Sequence, residues 1–272
     1  MARRQATQDL LTLAYSILEV DHPMTVRQVY YQLVARQAIR NHDSQYKRIS
    51  RLLVDGRKDG SIPWEWVEDR LRRPRAVSMW HDLADFGKTA VNAYRRDVWE
   101  TQPGYIETWL EKDALSGIFE DIQHPYGVTL NVGRGYDGWD SIRNAAGRMG
   151  SGEDASILYF GDFDPSGEDM ARSLEERLSF FDCHPEIVKC ALTADDITRY
   201  NLPPDPAKRT DTRAAEFMAK HGDVSVELDA LPGAVLRQRI RQEIETRLDL
   251  NALADVRRQE AQEKQRLLKL LG

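Results

Sequence analysis

One stretch constrains this chain more than any other: ILYFGDFDPSGEDM, residues 157–170. Ile157, Leu158, Tyr159 and Phe160 form a short apolar run, partly β-branched and aromatic, which predicts a buried strand. Gly161 ends the run and Asp162 and Asp164 follow at once. Pro165 and Gly167 then turn the chain into an amphipathic helix expected over roughly 168–180. Two carboxylates one residue apart at the carboxyl end of a buried strand lie where open α/β sheets place their ligands. Their mutual repulsion calls for a cation beside them, and hard oxygen donors suit Mg²⁺, with Mn²⁺ as a substitute. The competing reading is a polar turn whose Asp side chains cap the next helix.

Two further stretches repeat the pattern. GYIETWLEKDALSGIF (104–119) predicts a strand from Ile106 to Leu110, ending in Glu111 and followed by a helix. VTLNVGRGYDGWDSIRNAA (128–146) predicts a strand, a glycine-rich turn and a helix. Three successive β-turn-α units imply a parallel sheet with crossover helices. Glu111 then shares the carboxyl edge with Asp162 and Asp164, and three converging carboxylates point to a metal site. Gly133, Gly135 and Gly138 also spell G-x-G-x-x-G, the dinucleotide-binding fingerprint. That rival reading leaves Glu111 and Asp164 without a role.

The chain has 272 residues, enough for one large or two small domains. No apolar run approaches about 18 residues, and Met1 to Leu10 is too polar for an export signal, so no membrane partner and a cytoplasmic location are expected. Cys183 and Cys190 form neither a C-x-x-C pair nor a disulfide framework, which fits a reducing compartment. The six His residues lack zinc-ligand spacing. Residues 1–100 carry 17 Lys/Arg against 13 Asp/Glu, whereas the remainder carries 21 against 31. A basic amino-terminal part joined to an acidic one fits an enzyme acting on nucleic acid.

The amino-terminal part reads as three helices, at 6–18, from Thr25 to about 39, and over about 43–56. In the second, Val26, Val29, Tyr30 and Leu33 form the core stripe, which turns Tyr31 away from the core, beside Arg27 at i−4. The third carries Lys47, Arg48 and Arg51 on its outer side. GSIPWEWVEDRLRRPRAV (60–77) is then expected to form a β-ribbon, with Trp64 and Trp66 packed inward and with Arg70, Arg72, Arg73 and Arg75 in its tip. Three helices and a ribbon make a winged-helix arrangement. The basic residues would neutralise phosphates of double-stranded DNA without reading its sequence; for the helix, a solvated charged face is the alternative. A helical segment over 76–103 joins the two parts.

The wording of these motifs resembles a known family. Glu111 after the first strand, Gly133-x-Gly135 after the second and Asp162-x-Asp164 after the third resemble the Toprim domain. WLEKDAL, GRGYDGWDSIR and FGDFDPSG resemble segments of the topoisomerase VI A subunit and of the meiotic double-strand-break protein. The chain length is similar to that of the compact A-like proteins of mobile elements, termed Mini-A. The resemblance implies an α/β chain with a winged-helix domain (1–102), a Toprim domain (103–232) and a carboxyl-terminal helical segment (233–272).

RQVYY, with Arg27, Tyr30 and Tyr31, resembles the family's cleavage motif, which makes Tyr31 the expected nucleophile and Arg27 a phosphate clamp. The family usually has Asp where this chain has Gln28. The resemblance further implies Mg²⁺ on Glu111, Asp162 and Asp164, with Glu111 as an alternative general acid or base. Gly133 and Gly135 would bring backbone close to a phosphate or to the metal-bearing loops. Implied partners are double-stranded DNA, a second copy in a homodimer, and a separate ATPase B-type subunit, since the chain has no G-x-x-x-x-G-K-[ST]. A Toprim nuclease attacking with water and a non-catalytic DNA binder are the other readings. Further along, 184–193 predicts a strand, 201–211 a proline-rich loop and 212–221 a short helix. VSVELDALPG (224–233) is expected to be a structural edge or loop, with Glu227 and Asp229 in it. A charged helix from about 233 packs on the body or on a second subunit.

Overall fold

The computed structural model describes residues 2–68, 77–133, 138–205 and 213–271, with the side chains of 2–4 and 271 excepted. Three helices open the chain: α1 (Ala2–Val20), α2 (Val26–Ala35) and α3 (Asp43–Lys58). α2 begins where expected because Thr25 and Gln28 close a capping box: Gln28 N donates to Thr25 Oγ1 at 3.2 Å and Thr25 N to Gln28 Oε1 at 2.8 Å. Gln28, the departure from the family motif, therefore has a structural task. Leu11, Ala14, Ile17, Val29, Leu33, Ile49 and Leu53 are buried together, as their helical spacing requires.

The expected ribbon takes a different form. Pro63 and the following residues make a 3₁₀ turn, Trp64–Trp66, and Val67 forms a single bridge to Met24. Proline and adjacent bulky rings favour such a turn over a paired strand. Trp66 stacks on His22 with 4.5 Å between ring centroids, whereas Trp64 is 57% exposed under Arg57, so the inward expectation fails for Trp64. Residues 69–76, with Arg70, Arg72, Arg73 and Arg75, lie outside the described residues. The segment expected to be helical over 76–103 is helical only in α4 (Leu83–Ala93) and in a 3₁₀ turn at Trp99–Thr101.

The second half is the parallel sheet that the repeated pattern predicts. Strands β1 (Tyr105–Leu110), β2 (Thr129–Val132), β3 (Ala155–Phe160) and β4 (Glu186–Ala191) lie in the order β2-β1-β3-β4, every neighbouring pair parallel. Helices α5 (Ser116–Gln123), α6 (Trp139–Met149) and α7 (Pro165–Ser179) make the crossovers. α8 (Ala194–Arg199) and α9 (Ala214–His221) follow. Both faces of the sheet are covered, as an all-parallel sheet requires. Ile106, Leu110, Leu158 and Phe160 face a core shared with the amino-terminal helices and α5, and Trp109, Ile157 and Tyr159 face a smaller core under α6 and α7.

The carboxyl-terminal segment is two helices rather than one: α10 (Gly233–Glu245), packed on α5, and α11 (Leu250–Leu271), packed on α4. Tyr94 at the end of α4 donates to Glu263 at 2.6 Å, and Arg96 pairs with the same carboxylate at 2.8 Å. Leu253 is buried while Leu250 and Leu268 are exposed. Cys183 and Cys190 are free and buried. No helix among the described residues is long and apolar enough to cross a membrane.

Candidate functional site at the carboxyl edge of the sheet

The strand order puts β1 beside β3, so the residues just past their ends meet. Tyr159 donates its hydroxyl to Glu111 Oε2 at 3.1 Å, and the backbone N of Asp162 donates to the same oxygen at 3.0 Å. Only glycine fits between them. A Cβ on Gly161 would lie 2.3 Å from the Tyr159 hydroxyl and 2.7 Å from Glu111 Oε2. A Cβ on Gly167 would likewise meet the Asp162 carbonyl at 2.3 Å. Asp164 is the N-cap of α7, accepting from Gly167 N at 2.7 Å, so it takes the capping role while standing at the edge.

A loop from much later in the chain completes the edge. Phe163 pairs antiparallel with Val226 through two backbone hydrogen bonds of 2.8 and 2.9 Å. That pairing brings Leu228 N to Asp162 Oδ1 at 2.7 Å and carries Glu227 and Asp229 with it. Lys112, next to Glu111, then sits among three carboxylates. Its Nζ lies 3.2 Å from Asp162 Oδ1, 2.9 Å from Glu227 Oε2 and 2.8 Å from Asp229 Oδ2. Burial pulls the Lys112 ammonium down, but Asp229, Asp162 and Glu227 together hold it above its ordinary range. Burial pushes the Asp162 carboxyl up to about 7 against the pull of Lys112, with Glu111 adding to the rise. A second buried amine, Lys189, donates to the Asp162 carbonyl at 3.3 Å and is lowered by its burial.

Glu227 also reaches the amino-terminal helices. Arg27 grips it through Nε at 2.9 Å to Oε2 and Nη2 at 3.0 Å to Oε1. Tyr31 lies beside this pair and is only 4% exposed. The expectation that it turns away from the protein is thus corrected. It leaves the helix's own core stripe but is buried all the same, beside Glu227 and on the helix against which the turn at Leu228–Ala230 packs. Burial first, and then Glu227, push the Tyr31 phenol well above its ordinary value, with Arg27 acting against them. Tyr31, Tyr30, Tyr46, Arg27, Asn41 and Glu227 are among the residues lining an open pocket of about 400 Å³.

The structure brings Tyr31, Arg27, Glu111, Asp162 and Asp164 to one side of the molecule. Lys47, Arg48 and Arg51 are exposed on the outer side of α3, with no ion pair to a described residue. Gly133 donates its N to Leu110 O at 2.8 Å past the edge strand β2, and Gly135 lies outside the described residues. Sequence reasoning assigned Glu227 and Asp229 to a structural loop and gave Lys112 no task, yet these three tie the site together. Their signals were slight: two acids at strand spacing, and a Lys next to the expected ligand.

As a test of metal fit, each of the three expected ligands has one oxygen held by a protein donor. Glu111 Oε1, Asp162 Oδ2 and Asp164 Oδ2 accept no hydrogen bond from the described residues. Hard oxygen donors with one free oxygen each fit a divalent cation, although no group of three or more ligand side chains among the described residues is close enough to hold one as it stands. No protein-family model matches this chain, and a search of curated proteins likewise finds no match.

Proposed function

We propose that the chain is a DNA-cleaving transesterase of the type IIB topoisomerase A-subunit kind, with a winged-helix part bearing Tyr31 and a Toprim part bearing the carboxylates. The observation that carries this reading is the junction itself. The motif that resembles a cleavage Tyr meets the acidic edge that resembles a Toprim site, bridged by Arg27, Glu227 and Lys112. Tyr31 Oη attacks a backbone phosphorus, the P–O3′ bond breaks, and a 5′-phosphotyrosyl link and a free 3′-hydroxyl result. Glu227 is the carboxylate placed to take the phenol proton. An incoming phosphate exchanges with Glu227 for Arg27, whose fork suits two phosphate oxygens.

Glu111, Asp162 and Asp164 would hold Mg²⁺ or Mn²⁺, which when bound offsets the phosphate charge. In the family the Tyr of one subunit serves the metal site of the other. Here Tyr31 rests against the acids of its own chain, so double-strand cleavage by a homodimer requires this contact to open and re-form between copies. Strand passage requires a separate ATPase partner.

The burial of Tyr31 favours a second reading, a Toprim nuclease in which water attacks. One assay separates them: supercoiled plasmid with Mg²⁺ or Mn²⁺, stopped with detergent and run with and without proteinase K. Transesterification yields linear DNA that enters the gel only after proteolysis. Breaks free of protein overturn it and select hydrolysis.

A further inference from the structure

We propose that Lys112 is a built-in cation of this site: among Asp162, Glu227 and Asp229 its ammonium supplies the positive charge that a second divalent ion would supply in a two-ion site. The inference rests on the proposed function only in treating the carboxylate edge as the reactive one. Three oxygens from three different residues converge on Nζ within 3.2 Å, from the end of β3 and from a loop over 60 residues later in sequence. Of the three, Glu227 Oε2 accepts a hydrogen bond from Nζ, whereas Asp162 and Asp229 meet it as ion pairs. What it leaves over is informative. Asp229 is 1% exposed, and both of its carboxylate oxygens are buried with no hydrogen-bond partner. A buried carboxylate oxygen without a donor is costly, and it is the kind of oxygen that a multiply coordinated ion would engage.

Lys112 therefore keeps one half of the acidic edge neutral without metal. Asp162 is the shared member, with Oδ1 on the lysine and its backbone N on Glu111. The site is thus built for one divalent ion plus one lysine, in place of two ions. The same ammonium holds the Glu227 carboxylate against Arg27 and so keeps the two halves in register at Tyr31. A two-ion site would lose that tie whenever the second ion left.

The test is the number of Mn²⁺ ions bound per chain, by calorimetry and by the electron paramagnetic resonance of free Mn²⁺, for the wild type, Lys112→Ala and Lys112→Arg. Lys112→Ala is expected to bind one ion more than the wild type, and Lys112→Arg the wild-type number. Equal numbers in the wild type and Lys112→Ala overturn the inference. The wild-type count reports separately on the metal reading. One ion rising to two supports both ideas, whereas none rising to one supports the Lys112 position and removes Mg²⁺ from Glu111 and Asp164. Should Lys112→Ala fold poorly, its thermal midpoint should rise with Mn²⁺ by several degrees more than that of Lys112→Arg at matched ionic strength. Equal rises in the two variants count against the built-in cation.

Discussion

Two acidic centres, one in the middle of β1 and one just past its end, are resolved in opposite ways. Glu107, in the middle of β1, is fully buried, and every oxygen is answered. Arg148 binds it through two nitrogens at 2.5 and 3.0 Å, Asn131 donates at 2.6 Å and Tyr105 at 3.1 Å. Just past the strand's end, Asp162, Glu227 and Asp229 share the ammonium of Lys112, and neither oxygen of Asp229 has a hydrogen-bond donor. The first centre is closed and structural. The second is short of positive charge and of hydrogen-bond donors.

The largest effect expected from breaking this contrast is on chemistry. Tyr31→Phe should lower protein-linked DNA cleavage by at least about a thousandfold while leaving the fold intact, measured with the plasmid assay and circular dichroism. Undiminished cleavage would remove Tyr31 from the mechanism. Next comes Glu107→Ala, which strands the Arg148 guanidinium and should cost about 3–5 kcal/mol in urea unfolding. A loss below about 1 kcal/mol would mean that this centre is not the structural one.

Asp196 offers a second closed centre with a pH signature. Burial pushes its carboxyl up, but two bonds from Arg239, at 2.7 and 2.6 Å, and the Thr193 donors more than reverse this and hold it below its ordinary range. A depressed carboxyl stabilises the fold above its unfolded value and loses that contribution as pH falls through the folded one. Asp196→Asn should therefore cost about 2–3 kcal/mol at neutral pH, and the gap should close below about pH 4. A gap that persists in acid would assign the loss to packing. The smallest effect is expected at the open centre. Asp229→Asn removes one of three acids around one lysine and should stay within about 1 kcal/mol of the wild type. A loss as large as that of Glu107→Ala would erase the distinction between the centres.

The sheet and its acidic edge were legible because their signals are local. A short apolar run, a turn and a helix recur three times, with acids just after the first and third runs, and parallel pairing then forces those acids onto one edge. The start of α2 was legible for the same reason, with Thr25 as its cap, whereas α7 starts at Pro165 behind its cap Asp164, three residues before the expected start. Over 60–68 the ribbon expectation fails because alternating tryptophans at strand spacing also suit a 3₁₀ turn after proline.

The site was only half legible. Glu111, Asp162 and Asp164 announce themselves by position, but Glu227 and Asp229 look like any acids on an edge. They become part of the site only because Val226 pairs with Phe163, more than 60 residues away. Tyr31 was placed at the surface because helical period reports only a helix's own core face. α2 also packs on the Leu228–Ala230 turn, on which no pattern within the helix bears. The sequence by itself thus determined the parallel sheet and which edge would be acidic, since period and turn chemistry act over a few residues. Which cation answers those acids, and which side chains lie against Tyr31, was decided only by the tertiary structure, because electrostatic balance depends on distance through space and not along the chain.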